Sequence, residues 1–369
     1  MVRFVFKVNS MQEDLTHFFN DLNVVELSSV LAGPSVGMFF AEMGANVTKI
    51  ENERTDGDVT RRWRTKSDHR KISSYFASVN YSKKYVQLNL LQSEDKKRLH
   101  EYVRSADIIL TNLKLGDDKK LGITYQFFKS IKNDIIQCQL YGFESDKSRP
   151  AFDAVLQAET GFMSMNGHPN SPPTKFPVAL IDLFAAHQMK EAILIALLKK
   201  ARTGLGSYIE VSLEKAGLAS LANQATNWLM NRAIPERIGS IHPSIAPYGE
   251  TFQCKDGIWV VLAVGTDRQF KEMMSLLNLQ EMITHPNYHT NEQRVMHRKQ
   301  LAELLSNSFA QQDSNSICTQ LKAVGVPFGK VKNIKDVLES EVAQSMTLTE
   351  RIDGDETARI SSIGFRFLA

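Results

Sequence analysis

From Asn23 onward, apolar positions fall in short runs separated by longer amphipathic stretches. Val24, Val25 and Leu27 form a first run that stops at Ser28 and Ser29. Ala45–Glu51, Tyr85–Leu90, Asp107–Thr111 and Asp134–Leu140 read as further strands. Between them, Pro34 to Met43 reads as a helix stopped by Gly44, and Glu94–Arg104 and Phe127–Lys132 as two more. This βαβα rhythm predicts a mostly parallel sheet with helices on both faces, a Rossmann-like α/β domain. Ligands are then expected at the carboxyl ends of the strands, where the loops gather.

Further on, Leu183–Arg202 is apolar at Phe184, Ala185, Met189, Ile193, Leu194 and Leu197 and polar at Gln188, Lys190 and Glu191. That pattern predicts a long amphipathic helix, ended by Gly204 and Gly206. Tyr208–Val211 reads as a strand, Glu214–Leu229 as a helix, and Ala233–Tyr248, rich in Pro, Ile and Gly, as a linker. A smaller α+β unit follows: strand Trp259–Val264, helices Arg268–Leu277, Asn291–Gln311 and Ser314–Val324, and strand Pro327–Val331. Leu348–Ile352 and Arg359–Phe367 around Asp353–Gly354–Asp355 resemble a hairpin. The expected division is residues 11–204 and 335–369 as the large domain, 205–243 as helix and linker, and 244–334 as the small α+β domain. The clear pattern begins only at Leu15, so Met11 is as good a candidate start as Met1.

Bulk composition narrows the class. The 369 residues are 43% hydrophobic and 23% charged, a globular balance, with a net charge of only +3. No nucleic-acid or membrane partner follows from so small a charge, and basic groups such as Arg61, Arg62 and Arg64 read as solvated faces. Cys138, Cys254 and Cys318 are scattered without metal-ligand spacing and read as reduced thiols of a cytoplasmic protein. No apolar run is long enough to span a bilayer.

Candidate chemistry reduces to one carboxylate. A strand, a turn and a helix invite a dinucleotide reading, but Ser28–Pro34 carries one glycine and a proline without an N–H, so the pyrophosphate fingerprint is missing. The histidines, among them His69, His168, His242, His285, His289 and His297, show no HxxEH or HxH spacing, and no metal site is expected. No GxSxG is present, so serine catalysis lacks its elbow. Asp182 stands at the start of the long helix, after the apolar run Val178–Ile181. On spacing it reads first as an N-cap, and that role is compatible with a nucleophile's. The helix dipole favours its ionised form, and an aspartate with an ordinary pKa of about 3.9 is charged at neutral pH without a base.

The stretch Val30–Leu31–Ala32–Gly33–Pro34, followed by Glu42–Glu51 and Gly57–Asp58, resembles the class III CoA-transferases, relatives of formyl-CoA transferase, carnitine CoA-transferase and α-methylacyl-CoA racemase. The likeness continues at Asn80–Lys84, Gln87–Leu90, Ser105–Asp107, Thr111–Leu113, Lys120–Gly122, Tyr141–Phe143, Val178–Phe184, Thr203–Gly204, Ile209–Ser212, His242–Tyr248 and Gly325–Pro327. The resemblance implies a CoA-transferase with Asp182 as the nucleophile that carries CoA as an aspartyl thioester. It implies active-site and oxyanion loops at Leu31, Ala32, Tyr141, Gly142 and Phe143, and a CoA site at Arg54, Leu88, Asn112, Leu113 and Lys120. Beyond acyl-CoA and a small carboxylic acid it implies no cofactor. It also implies a homodimer of two interlocked chains.

Two departures shape the expectation. Family racemases carry a His-Asp pair where this chain has Phe152–Asp153, and a glutamate at about Asp267; phenylalanine moves no proton, so transfer is favoured over racemisation. The glycine-rich closing loop of oxalate-type transferases is short here, at His242–Thr251, which argues against formyl-CoA or oxalate. A noncatalytic CoA-binding protein remains the alternative from another class, and retention of Asp182 speaks against it.

Overall fold

The computed structural model describes residues 15–368, so both candidate starts, Met1 and Met11, lie outside the described residues. Six strands form one parallel sheet: β1 (Asn23–Leu27), β2 (Asn46–Asn52), β3 (Lys83–Leu88), β4 (Ile108–Thr111), β5 (Ile136–Tyr141) and β6 (Ser207–Ser212). Their order is β3-β2-β1-β4-β5-β6, with Val24 opposite both Val47 and Ile108. The strand order reverses between β1 and β4, and in such sheets ligands bind beyond the carboxyl ends at that point. One face packs Val24, Val47, Ile108, Ile136 and Leu140 against the helices Ala32–Glu42 and Leu180–Thr203. The other packs Val25, Ile50 and Ile109 against Leu99 and Val103 of the helix Ser93–Ser105 and Phe128 of Tyr125–Ile131. Alternate residues of buried strands thus serve two cores.

Buried charges interrupt these apolar strands. Glu26 of β1 and Lys49 of β2 are buried on the face under the helix Ala32–Glu42. Glu26 Oε1 accepts from Lys49 Nζ at 2.8 Å, and Oε2 accepts from Lys83 Nζ at 2.8 Å. Lys49 also lies 3.2 Å from Asp58 Oδ2. Lys83 Nζ donates further to Pro34 O, Val79 O and Asn80 Oδ1. Two acids and two lysines therefore neutralise one another where water is excluded. Burial pushes the Glu26 carboxyl up, and the two lysines together outweigh it, leaving it below its ordinary value. Gly37 permits the arrangement: a Cβ there would stand 1.9 Å from Glu26 Oε2.

The described chain divides into two compact units, one of residues 15–162, 175–231 and 341–368, the other of 163–174 and 232–340. The sequence division set 205–243 aside as helix and linker. Within it β6 pairs with β5 over six residues, Ile136↔Ser207 to Tyr141↔Ser212, and so completes the large sheet. The predicted helix Glu214–Leu229 is two, Leu213–Ala219 and Ala222–Asn231, parted where Ala222 takes φ +49°. In the second unit β7 (Tyr248–Gln253), β8 (Trp259–Ala263) and β9 (Phe328–Lys330) form an antiparallel sheet over a core of Phe252, Phe270, Leu305 and Phe309. β7 escaped the sequence reading because Phe252 is its one strongly apolar inward residue. The predicted helix Asn291–Gln311 breaks at His297 into Asn291–Met296 and Arg298–Phe309.

The terminal hairpin belongs to the first unit, as β10 (Thr347–Ile352) and β11 (Asp355–Ile360); the second strand starts directly after the turn rather than at Arg359. Its turn braces the region after β2: Arg61 bridges Glu51 and Asp353, and Asp355 accepts from the Ile72 amide. No helix among the described residues is long and apolar enough to cross a membrane.

Glu26→Gln keeps the shape but leaves Lys49 and Lys83 short of their shared anion. Breaking a buried ion pair this way typically costs about 3–5 kcal/mol. Urea denaturation should show a loss of that order, and a change under about 1 kcal/mol would mean the network is not what neutralises these lysines.

Candidate active site

At the switch point the carboxyl ends of β1, β2, β3 and β4 open into a cleft of about 640 Å³. Arg54, Leu88, Asn112, Leu113 and Lys120, the five residues assigned to CoA, all line it. Leu27, Ile50, Leu88, Leu113 and Ile123 give it apolar walls, and Arg54, Arg62, Lys114 and Lys120 bring cations to its rim. An apolar cleft with cations at its mouth suits a ligand with a flat heterocycle and several phosphates. Asn112 has a further task. Its Nδ2 donates to Ser29 O at 2.9 Å, and its Oδ1 accepts from Ser29 N at 3.1 Å. The side-chain amide is thus committed to the loop after β1.

That loop leads into the helix Ala32–Glu42, whose N-cap, Leu31, makes no side-chain cap bond. Pro34 falls at its third residue rather than its first, and tolerably so, because the first-turn N–H groups have no intrahelical partner anyway. Among the described residues the amides of Leu31, Ala32 and Gly33 donate no hydrogen bond, so this turn offers N–H groups to an incoming anion. Gly142 and Phe143 likewise have free amides among the described residues, at the end of β5. Gly142 is required by close approach, since a Cβ would meet Ala151 Cβ at 2.1 Å. The Tyr141 side chain departs from its assignment. It points to the sheet face opposite Leu140, with its hydroxyl 3.5 Å from Tyr208 Oη and Lys147 Nζ 4.6 Å from its ring centroid. The sheet separates that ring from the long helix. Phe143 is buried under Arg149, a core residue at the loop's root.

The long helix begins at Leu180, with Ala179 as N-cap, so Asp182 is not the cap but sits inside the first turn. Capping falls to Asp153, whose Oδ1 accepts from the Ile181 amide at 2.8 Å. Its Oδ2 accepts from Gln157 Nε2 at 2.7 Å. The Asp182 carboxyl is left alone. Every other buried carboxylate among the described residues has a partner: Glu26, Glu51, Asp58, Asp153 and Glu250. Asp182, 7% exposed, accepts no hydrogen bond from any described residue.

The electrostatic expectation for Asp182 is overturned. Burial, and then the neighbouring Asp153 charge, push its carboxyl up to about 7. A helix N-terminus supplies about 0.3–1 kcal/mol, whereas a shift of this size is about 4 kcal/mol, so desolvation wins. Tyr75 shares the same surroundings. Burial and the charges of Asp182, Asp153 and Asp58 push its hydroxyl up to about 12, so it remains a neutral O–H. Its ring lies 5.1 Å from Trp63, which lies 6.4 Å from Phe152, giving the carboxyl an aromatic flank. Phe152 is 54% exposed and Asp153 is fully engaged, so no second acid–base pair stands here. Asp267, at the other racemase position, accepts from Arg294 Nη2 at 2.6 Å.

Sequence reasoning missed Lys49, Asp58, Tyr75 and Gln157 as parts of the site. A signal was there for one of them, Lys49. Glu26 and Lys49 are opposite charges inside otherwise apolar strands, where a charge persists only if paired.

Known proteins resemble this chain over nearly its whole length. A model of CoA-transferase family III covers residues 19–368. The succinate–glutarate CoA-transferase of Agrobacterium fabrum is 31% identical over 350 residues, covering 93% of this chain and 87% of that one. The human succinyl-CoA:glutarate CoA-transferase is 31% identical over 346 residues, 93% of this chain and 78% of that one. A CAIB/BAIF family protein from Brucella suis superposes with a TM-score of 0.82 at 31% identity, covering 97% and 95% of the two chains.

The Asp182 carboxyl makes stability depend on pH in a defined direction. Its folded-state pKa, about 7, lies above its unfolded value of 3.8, so the folded protein holds this proton more tightly. Its contribution is fully present below about pH 4 and is lost as pH rises through about 7. Asp182→Asn removes the titration. Its Tm should exceed that of the parent at pH 8, with the gap closing towards pH 4; a gap independent of pH would refute the shift.

In the cleft, Arg54→Ala and Lys120→Ala should each weaken CoA binding severalfold by calorimetry, more at low ionic strength than at high. Equal affinity at every salt concentration would remove both from the CoA site.

Proposed function

Because this chain belongs to CoA-transferase family III, we propose that it moves coenzyme A from an acyl-CoA donor to a carboxylic acid through a covalent intermediate on Asp182. The observation that carries the reading is the unpartnered buried carboxyl itself. The other buried carboxylates among the described residues are paired or capped; a nucleophile must keep its lone pairs free. In the proposed sequence, an Asp182 oxygen attacks the thioester carbonyl, and the tetrahedral oxyanion expels CoA thiolate to leave a mixed anhydride. The thiolate attacks the aspartyl carbonyl and releases the donor acid, leaving a β-aspartyl-CoA thioester. The acceptor carboxylate attacks that thioester, expels the thiolate and forms a second anhydride. The thiolate then takes the acceptor acyl group and frees Asp182. The free amides of Leu31, Ala32, Gly142 and Phe143 are the donors available to these oxyanions.

Small dicarboxylates are the acids we favour, on the strength of the two glutarate-acting relatives. Racemisation is disfavoured by the exposed Phe152 and the committed Asp153. We read the working form as a homodimer. The isolated chain exposes large apolar side chains that a partner would cover, among them Ile195, Leu229, Met230 and Val342, each at least 67% exposed. The three free, buried cysteines fit a cytoplasmic setting.

The test is direct. With succinyl-CoA and no acceptor, intact-mass spectrometry should show a gain of one CoA less one water, discharged by hydroxylamine and by glutarate. Asp182→Asn should fold and bind CoA without forming the adduct. The rate of adduct formation should rise with pH through about 7, because the attacking form is the anion. Transfer by Asp182→Asn at the parent rate, with deamidation excluded by mass, would overturn the proposal. So would rapid enzyme-dependent deuterium uptake at the α-carbon of a 2-methylacyl-CoA, for the choice of transfer over racemisation.

A further inference from the structure

Ahead of its free amides, the loop after β1 is fastened at each residue in turn. Lys49 Nζ donates to Ser28 O at 2.7 Å. Asn112 brackets Ser29, donating to its carbonyl and accepting from its amide. Val30 N donates to Asp58 Oδ2 at 3.2 Å. Asp58 is itself buried, bonded by the Thr60 amide and hydroxyl and lying against Lys49. One ammonium therefore grips the loop twice, at Ser28 directly and at Val30 through Asp58.

The last residue held is also the one least suited to its place. Val30 takes φ +74°, a left-handed conformation that a β-branched side chain strongly resists. Such a residue persists only where its surroundings over-determine it, and such strain gathers at functional loops. Releasing Val30 N would let φ return to negative values and turn the peptide that carries the Leu31 N–H. The strain therefore sets the direction of the amides that follow.

We propose that Asp58 and Asn112 are positioning residues for CoA transfer: with Lys49 they hold Val30 left-handed, so that the Leu31 and Ala32 amides are preset for the oxyanion formed on attack by Asp182. This rests on the reading of Asp182 as nucleophile. Asp58 and Asn112 both line the CoA cleft, and Tyr75 lies in the field of both Asp58 and Asp182, so clamp, cleft and carboxyl share one neighbourhood. Asn112 changes role accordingly, from a contact to CoA into a brace for the loop.

The two roles of Asn112 separate kinetically. As a CoA contact, Asn112→Ala would raise the KM for acyl-CoA and spare kcat. As a brace, it should lower kcat about tenfold or more, as loss of aligned oxyanion donors does, with KM nearly unchanged. Asp58→Asn should do the same, and Val30→Gly should restore much of its lost kcat, because glycine adopts φ +74° without a clamp. If Asp58→Asn does not fold, Asn112→Ala and its combination with Val30→Gly carry the same test. Hydrogen exchange at residues 30–33 should quicken in the single variants. A change confined to KM, or a kcat loss that Val30→Gly leaves untouched, overturns the proposal. Failure of the reaction reading looks different: the parent chain itself would form no aspartyl-CoA adduct with any donor.

Discussion

Everything at the head of the sheet depends on the neutralisation of Glu26 by two lysines. Glu26 lies on β1, Lys49 reaches it from the adjoining β2 and Lys83 from β3 beyond it, so the three strands are tied by charge as well as by backbone. Ion pairs this deep contribute little net stability, because desolvation offsets attraction. Their contribution is to geometry. A buried ammonium with fixed acceptors admits few arrangements, and Lys49 extends that constraint to Ser28 and Asp58, outside the strands. The loop that follows β1 inherits its shape from charges that are themselves remote from any ligand.

The site on top of this frame divides two opposed demands between separate elements. The loop after β1 has nearly every polar group satisfied until its amides are needed. The long helix does the reverse with Asp182, leaving one buried carboxyl without a partner. Its neighbour Asp153 takes over the capping that Asp182 would otherwise perform. Capping by a residue from another helix leaves the first-turn carboxylate without a partner.

The alternation of strand and helix was legible because the buried strands are short and apolar and the helices carry clear breaks. The five cleft residues were legible through resemblance, and the sheet's switch point gives them a physical reason to meet. Four matters were not. β7 carries too little apolar signal, and the split at Ala222 depends on one left-handed residue that no periodicity marks. The Asn112 clamp is a contact 83 residues apart in sequence, invisible to local pattern. The pKa of Asp182 was misread because a helix N-terminus can be seen in sequence, whereas desolvation and the approach of Asp153 exist only once the chain is folded.

That last discrepancy bears on why the carboxyl is buried beside another acid. On the proposed reaction, the resting anion at pH 8 carries a penalty of about 4 kcal/mol, the free-energy equivalent of moving its pKa from 3.8 to about 7. The anhydride and the aspartyl thioester are neutral at this position. Neither is desolvated as an ion, and neither repels Asp153. Acylation therefore releases the penalty, so the same surroundings that make the anion scarce near pH 7 make it reactive and favour the covalent state. The benefit holds for any acyl group, because it belongs to the aspartyl side of the bond. A scaffold of this kind can keep its nucleophile and CoA cleft unchanged while the choice of acid is made elsewhere.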